Sequence, residues 1–143
     1  EKGRALAILG EEIQSAVQSA SQLSALKKYA QQLDAEWKRI QQVLAHLSTF
    51  APTSIDRYLA DATVFMEQIS YVVIAWQWLK QAIVAQRNID AANFKNQSQS
   101  FYEGKIVTMK FFFRYELTHA AACVQTLLDE EFLTNVKKKE LFD

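Results

Sequence analysis

Residues 23–47 read LSALKKYAQQLDAEWKRIQQVLAHL. Within them Leu23, Leu26, Ala30, Leu33, Trp37, Ile40, Leu44 and Leu47 follow one another by alternating steps of three and four. A helix turns once in about 3.6 residues, so this spacing lines the apolar side chains along one side. It predicts an a/d seam sustained along the whole stretch. Lys27, Lys28, Gln31, Asp34, Lys38 and Gln42 fill the opposite side, with Asp34 and Lys38 in the favourable i,i+4 order. His46 falls in the last turn, near the negative end of the helix. One dry face and one wet face follow.

The same period extends in both directions. Leu6, Leu9, Ile13, Ala16 and Ala20 form an earlier seam, and the serines between residues 19 and 24 shift its phase. A turn is expected there, with Ser21 or Ser24 capping the next helix. Pro52 ends the second helix by removing a backbone donor and pushing Ala51 out of helical geometry. Thr53-Ser54-Ile55-Asp56 restarts a third helix carrying Ala62, Phe65, Ile69, Val72, Trp76, Leu79 and Ile83. The polar run from Asn88 to Ser100 reads as a loop, and Ser100 with Glu103 matches a capping box for a fourth helix. That helix presents Tyr102, Ile106, Met109, Phe113, Ala120, Cys123 and Leu127. The expected helices are 4–20, 23–49, 54–88 and 101–131, in one domain over 1–134. A polar tail over 135–143 follows, with Lys137-Lys138-Lys139 in solvent. Short connections between seams imply an all-α, antiparallel up-down four-helix bundle.

Composition narrows the chemistry. The 143 residues include three Gly, one Pro and one Cys, with sixteen Lys+Arg offsetting sixteen Asp+Glu. Gly3, Gly10 and Gly104 are too scattered to build a phosphate-cradling loop. A lone cysteine excludes an internal disulfide framework. Neutral charge argues against a nucleic-acid binder. The least polar stretch, Ile69 to Leu79, contains Ser70 and Gln77 and is much shorter than the ~20 apolar residues of a membrane span. An unpaired thiol fits a reducing compartment, so the cytoplasm is the expected location. The opening Glu1-Lys2-Gly3-Arg4, without an initiator Met, is expected to be excised from something longer or processed.

The third and fourth helices carry more apolar surface than one seam uses. Tyr71, Ile74 and Trp78 lie off the core seam, and no charge occurs between Glu67 and Lys80. Phe111, Phe112 and Phe113 are consecutive, so at ~100° per residue they spread over about 200° of the helix. Either these helices are the most enclosed pair of a wide core, or one side of them docks onto another domain or subunit. Tyr71, Trp78, Tyr102, Lys105, Phe111 and Phe112 are the candidate interface residues. Neutral net charge lowers the barrier to self-association, so a homo-oligomer is expected.

No catalytic set is apparent. Glu116-Leu-Thr-His119 matches the E-x-x-H element of di-iron bundles, but that site needs a second element, and the other histidine, His46, has Val43 three residues before it. No metal ligand is therefore assigned, and a locally hydrogen-bonded Glu and His is the simpler reading. Cys123 lies among Ala120, Val124 and Leu127, as a buried inert thiol would. Trp37, Trp76 and Trp78 fit core packing. Lys105, Lys110 and Arg114 follow at roughly helical steps; they suit a solvated rim, or an acidic partner or phosphate.

Tyr71-Val-Val-Ile-Ala-Trp76-Gln-Trp78-Leu-Lys-Gln-Ala82, Phe101-Tyr102-Glu-Gly104-Lys105 and Phe111-Phe112-Phe113 carry a family resemblance. Together they resemble the extra C-terminal helical domain of long bacterial acyl-CoA dehydrogenases, including the 3-methylmercaptopropionyl-CoA dehydrogenase-like group. Gly3-Arg4-Ala5-Leu6 is similar to the segment that opens that domain, whereas Ala75 stands where the family usually has Gly. The resemblance implies a parent flavoenzyme that uses FAD to oxidise an acyl-CoA thioester. It places the catalytic glutamate and the flavin in preceding domains, so no catalytic or cofactor-binding residue is carried over to this chain. The implied partner is the dehydrogenase core of the same chain or a second subunit. The alternative is a stand-alone helical interaction or oligomerisation module with no enzyme activity.

Overall fold

The computed structural model describes residues 3–135. Six α-helices form: α1 (Arg4–Ser21), α2 (Lys27–Ser48), α3 (Ile55–Leu59), α4 (Ala62–Asp90), α5 (Gln99–Phe111) and α6 (His119–Leu128). A π-helical segment, Phe112–Glu116, joins α5 to α6, and a 3-10 turn spans Leu133–Asn135. Among the described residues there is no strand, and no helix is long and apolar enough to cross a membrane. Except for Asn135, the expected tail over 135–143 lies outside the described residues.

Four long helical rods build the core: α1, α2, α4 and the composite α5–π–α6. Gly10 of α1 meets Trp37 of α2, and Gln14 donates to Asp34 at 2.9 Å, so contacts descend α2 as they climb α1. Tyr29 packs edge-on against Phe113, ring centres 5.4 Å apart. Further along, Val43 and Leu47 share a cluster with Cys123 and Leu127. Ile13, Leu26, Leu33, Ile40, Val72, Leu79 and Met109 are fully buried. Burying side chains of this size contributes about 1.5–3 kcal/mol each.

The boundaries depart from the sequence reading for local reasons. α2 starts at Lys27 rather than 23, and neither Ser21 nor Ser24 caps it: its N-cap is Leu26, and the Ser21 hydroxyl donates back to the Val17 carbonyl at 2.8 Å. The expected 54–88 helix is two helices. Ser54 caps α3, its Oγ accepting from the Arg57 N–H, but the chain breaks at Ala60–Asp61. There the Thr134 hydroxyl donates to the Ala60 carbonyl at 3.0 Å, satisfying a group that a continuous helix would have used. Ser98, not Ser100, caps α5 by accepting from the Phe101 N–H at 3.2 Å.

The dry stripe of α4 is also rotated from the expected one. Gln68, Val72, Ala75, Leu79 and Ala82 are fully buried, while Phe65, Ile69 and Trp76 only flank the core. Alanines on the inner line let neighbouring helices approach closely, and the larger side chains close over the sides. The last rod ends at Leu128 rather than 131. Its π segment carries an i→i−5 bond from the Leu117 N–H to the Phe112 carbonyl at 2.9 Å. That wide turn seats Phe113 in the core at 2% exposure and leaves Phe111 outside at 55%.

Candidate docking face on α4 and α5

The expected interface residues do not share one surface. Tyr102 is a core residue at 8% exposure, which corrects its placement on the docking face. Its ring sits on the inner line of α5 with Ile106 and Met109, because that line continues the buried seam. Phe112 and Tyr71 are half-buried against the core. Trp78 is half-buried as well, and its ring lies 5.7 Å from the Lys105 ammonium. Phe111 points away from the core and packs on Tyr115, with centroids 4.8 Å apart.

Two lysines line the groove between α4 and α5. Lys105 Nζ lies 5.4 Å from the Phe101 ring as well as beside Trp78, and Lys80 Nζ sits 4.7 Å from the Trp76 ring. Cation–π contacts of this kind hold an ammonium against an apolar wall. Among the described residues the ion pairs are Lys38–Asp34 and Arg39–Glu36, so neither groove lysine has a carboxylate at its head. Gln81, Val84 and Phe101 complete the wall of this hollow of about 360 Å³. Lys110 and Arg114 lie instead beside Lys28 and Tyr29, on the opposite flank of α5.

The outer face of α5 is more apolar than the sequence reading had it. Phe101, Val107, Phe111 and Tyr115 are 43%, 64%, 55% and 50% exposed. Phe101, Val107 and Tyr115 were not singled out as interface residues. A helical wheel of 99–115 would have found them, since they lie opposite Tyr102, Ile106 and Met109.

A second cluster joins α4 to α6. The Tyr71 ring stacks on His119 at 5.7 Å and its hydroxyl lies 3.5 Å from Glu67 Oε1. Desolvation, followed by the charges of Glu67, Cys123 and Glu116, pushes the Tyr71 phenol up. Burial, followed by Glu67, pushes the Cys123 thiol up. Both shifts disfavour the anion, so neither group is an activated nucleophile. His119 Nδ1 lies 3.1 Å from the Glu116 carbonyl, the local arrangement of a helix end. Among the described residues no group of three or more His, Cys, Asp or Glu could hold a metal ion.

A hollow of about 820 Å³ lies between α1 and α2. In its wall Asp34 accepts from both Gln14 and Lys38. These hydrogen bonds, Lys38 first, hold the Asp34 carboxyl below its usual range.

Two buried polar side chains lay outside the sequence reading. Glu36 Oε1 accepts from Arg39, but Oε2 is buried without a partner, and desolvation pushes its carboxyl up. Gln68 is fully buried, and neither its amide nitrogen nor its oxygen has a partner.

The folded helices and the apolar outer face can be set beside known sequences. The family described as Acetyl-CoA dehydrogenase C-terminal like matches residues 9–132. The chain belongs to that family. No curated protein and no solved structure matches it.

Proposed function

We propose that this family member is a non-catalytic accessory domain of an FAD-dependent acyl-CoA dehydrogenase. It packs through the outer side of α5 and its groove with α4 on the dehydrogenase core or on a neighbouring subunit. The observation that carries this reading is the pair Phe101 and Phe111, whose rings stay 43% and 55% exposed among the described residues. The match over residues 9–132 supports it by naming the kind of protein such a domain serves. On this reading the rods alternate in direction as an antiparallel up-down bundle, which the opposed stepping of Gly10–Trp37 and Gln14–Asp34 supports. On this reading the flavin and the acyl-CoA site belong to the core, and the parent enzyme is of the 3-methylmercaptopropionyl-CoA dehydrogenase-like group.

The test is capture of the dehydrogenase core encoded upstream by this chain, followed by calorimetry. Phe111→Ser and Trp78→Ser are expected to weaken capture at least tenfold. Phe111→Ser should keep the helical circular dichroism and melting temperature of the parent. Capture of neither the core nor a second copy by the parent chain, or a reading frame with no dehydrogenase core upstream, overturns the proposal.

A further inference from the structure

Gly104 sits in the middle of α5, where glycine costs about 0.8–1 kcal/mol relative to alanine. Nothing inside the chain asks for it: a Cβ built there has no atom within 4 Å, and its φ is ordinary for a helix. Gly104 also lies at the centre of the outward arc. At about 100° per residue, it and Phe111 point directly away from the buried line Tyr102, Ile106, Met109 and Phe113. Val107 flanks them on one side, with Phe101 and Thr108 on the other. Thr108 is tied back, its hydroxyl donating to the Gly104 carbonyl at 2.9 Å, which leaves its methyl outward. The arc is thus a low saddle between aromatic walls.

We infer that the saddle receives α5 of a second copy of this chain, crossing antiparallel about a twofold axis near residue 106. This deepens the docking role proposed above and rests on it, naming the neighbouring subunit as the partner of this face. The spacing is self-complementary in that register: Gly104 falls opposite Thr108 of the second copy, and Phe101 opposite its Phe111. Small residues meet at the crossing and rings close both ends. An isologous contact requires this reciprocity.

Charge is complementary in the same direction. Glu103 and Lys110 are exposed, lie on the same flank of α5 and are seven residues apart. Among the described residues the Glu103 carboxylate accepts from the neutral Gln99 amide, at 2.8 Å, and Lys110 is in neither ion pair. Antiparallel pairing brings Glu103 across from Lys110 of the second copy twice over. Net charge zero adds no long-range repulsion.

The area is enough for a reversible dimer. Three half-exposed rings at 150–250 Å² each offer roughly 300 Å² per copy. A stable interface takes about 800 Å² per partner, so the remainder must come from Val107, the Trp78–Lys105 groove and the stems of the flanking charges. This places the dimer at the weak, concentration-dependent end.

Sedimentation equilibrium of the 143-residue chain across a range of concentrations is the test. The parent is expected to dimerise reversibly. Gly104→Leu should give a monomer with unchanged helicity. Gly104→Ala separates the two roles of the position: it should raise the melting temperature of the monomer yet weaken dimerisation at least tenfold. Glu103→Lys or Lys110→Glu alone should weaken the dimer, and the double swap should restore it. A parent that stays monomeric, or a dimer indifferent to Gly104→Leu and to the charge swap, overturns the pairing. If such a monomer still captures the dehydrogenase core through Phe111, the accessory role stands without it. If the dimer forms as described but no dehydrogenase core lies upstream, the pairing stands and the accessory role falls.

Discussion

The two helical glycines of this chain sit in opposite surroundings. A Cβ on Gly10 would lie 2.8 Å from Cζ2 of Trp37, inside any contact a real side chain makes, whereas a Cβ on Gly104 would meet nothing within 4 Å. Gly10 lets α1 close on the indole, so its helix-propensity cost is offset within the chain. Gly104 carries the same cost with no return inside the chain. The α1–α2 contact is complete as folded, and the outer face of α5 is not. The inner side of α5 is as dry as that of α2, and only its outer side differs.

The largest expected effect tests the completeness of the α1–α2 contact. Trp37 is 4% exposed and covers Gly10. Trp37→Ala should cost about 3–5 kcal/mol in urea unfolding. Phe111→Ala, at a ring 55% exposed, should cost about 0.5 kcal/mol or less. A monomer that loses as much from Phe111 as from Trp37 would mean that the α5 face is internally supported after all.

Gly10→Ala comes next. A methyl group forced against the ring costs about 1–3 kcal/mol by overpacking, and the better helix former returns about 1 kcal/mol. A net loss of about 1 kcal/mol is expected, opposite in sign to the gain at Gly104. Equal signs at the two positions would dissolve the contrast.

A third position reverses the case. α4 ends in a Schellman arrangement: the Asn93 N–H bonds the Asn88 carbonyl at 2.9 Å and the Ala92 N–H the Ile89 carbonyl at 3.0 Å. Ala92 has φ 47°, where an L side chain is strained. Ala92→Gly should therefore raise stability by about 1 kcal/mol in the same urea assay. The chain thus has glycine where no internal contact needs it and lacks it where the backbone does.

How much of this was legible in the sequence follows from what each feature depends on. The α2 seam was legible because Leu26, Ala30, Leu33, Trp37 and Ile40 obey one period and are all buried. The break at Ala60–Asp61 was not: α3 buries no residue, and the carbonyl there is met by Thr134, more than seventy positions away. The π turn was foreshadowed only by three consecutive phenylalanines that no single α-helical face could take. Tyr102 stood both on the seam with Ile106 and Met109 and among the interface candidates, and at 8% exposure it is the seam that holds it. Glu36 escaped notice because burial on α2 is wider than its a/d seam. Glu36 and Val43 form a second dry line beside Ile40 and Leu47 of the seam, and a period taken from one seam does not show it.

That second line supplies the smallest contrast, between two acids of α2 that titrate with opposite sign. Burial raises the Glu36 carboxyl above its ordinary value of 4.5, so the unfolded chain releases this proton more readily than the folded one. The penalty is absent below 4.5 and fully present once pH exceeds the raised folded value. Glu36→Gln should therefore gain about 1 kcal/mol at neutral pH, with the advantage shrinking as pH falls toward the unfolded value. Asp34 behaves conversely. Lys38 and Gln14 depress its carboxyl below 3.8, so its contribution is present above that value and lost as pH falls through the folded one. Asp34 is only partly covered, so Asp34→Asn should cost about 0.5 kcal/mol at pH 7 and nothing in acid. Urea midpoints of both variants and the parent between pH 3 and pH 7 would show the two difference curves diverging as pH rises. Curves running the same way would mean that Glu36 reaches solvent through its unpaired oxygen.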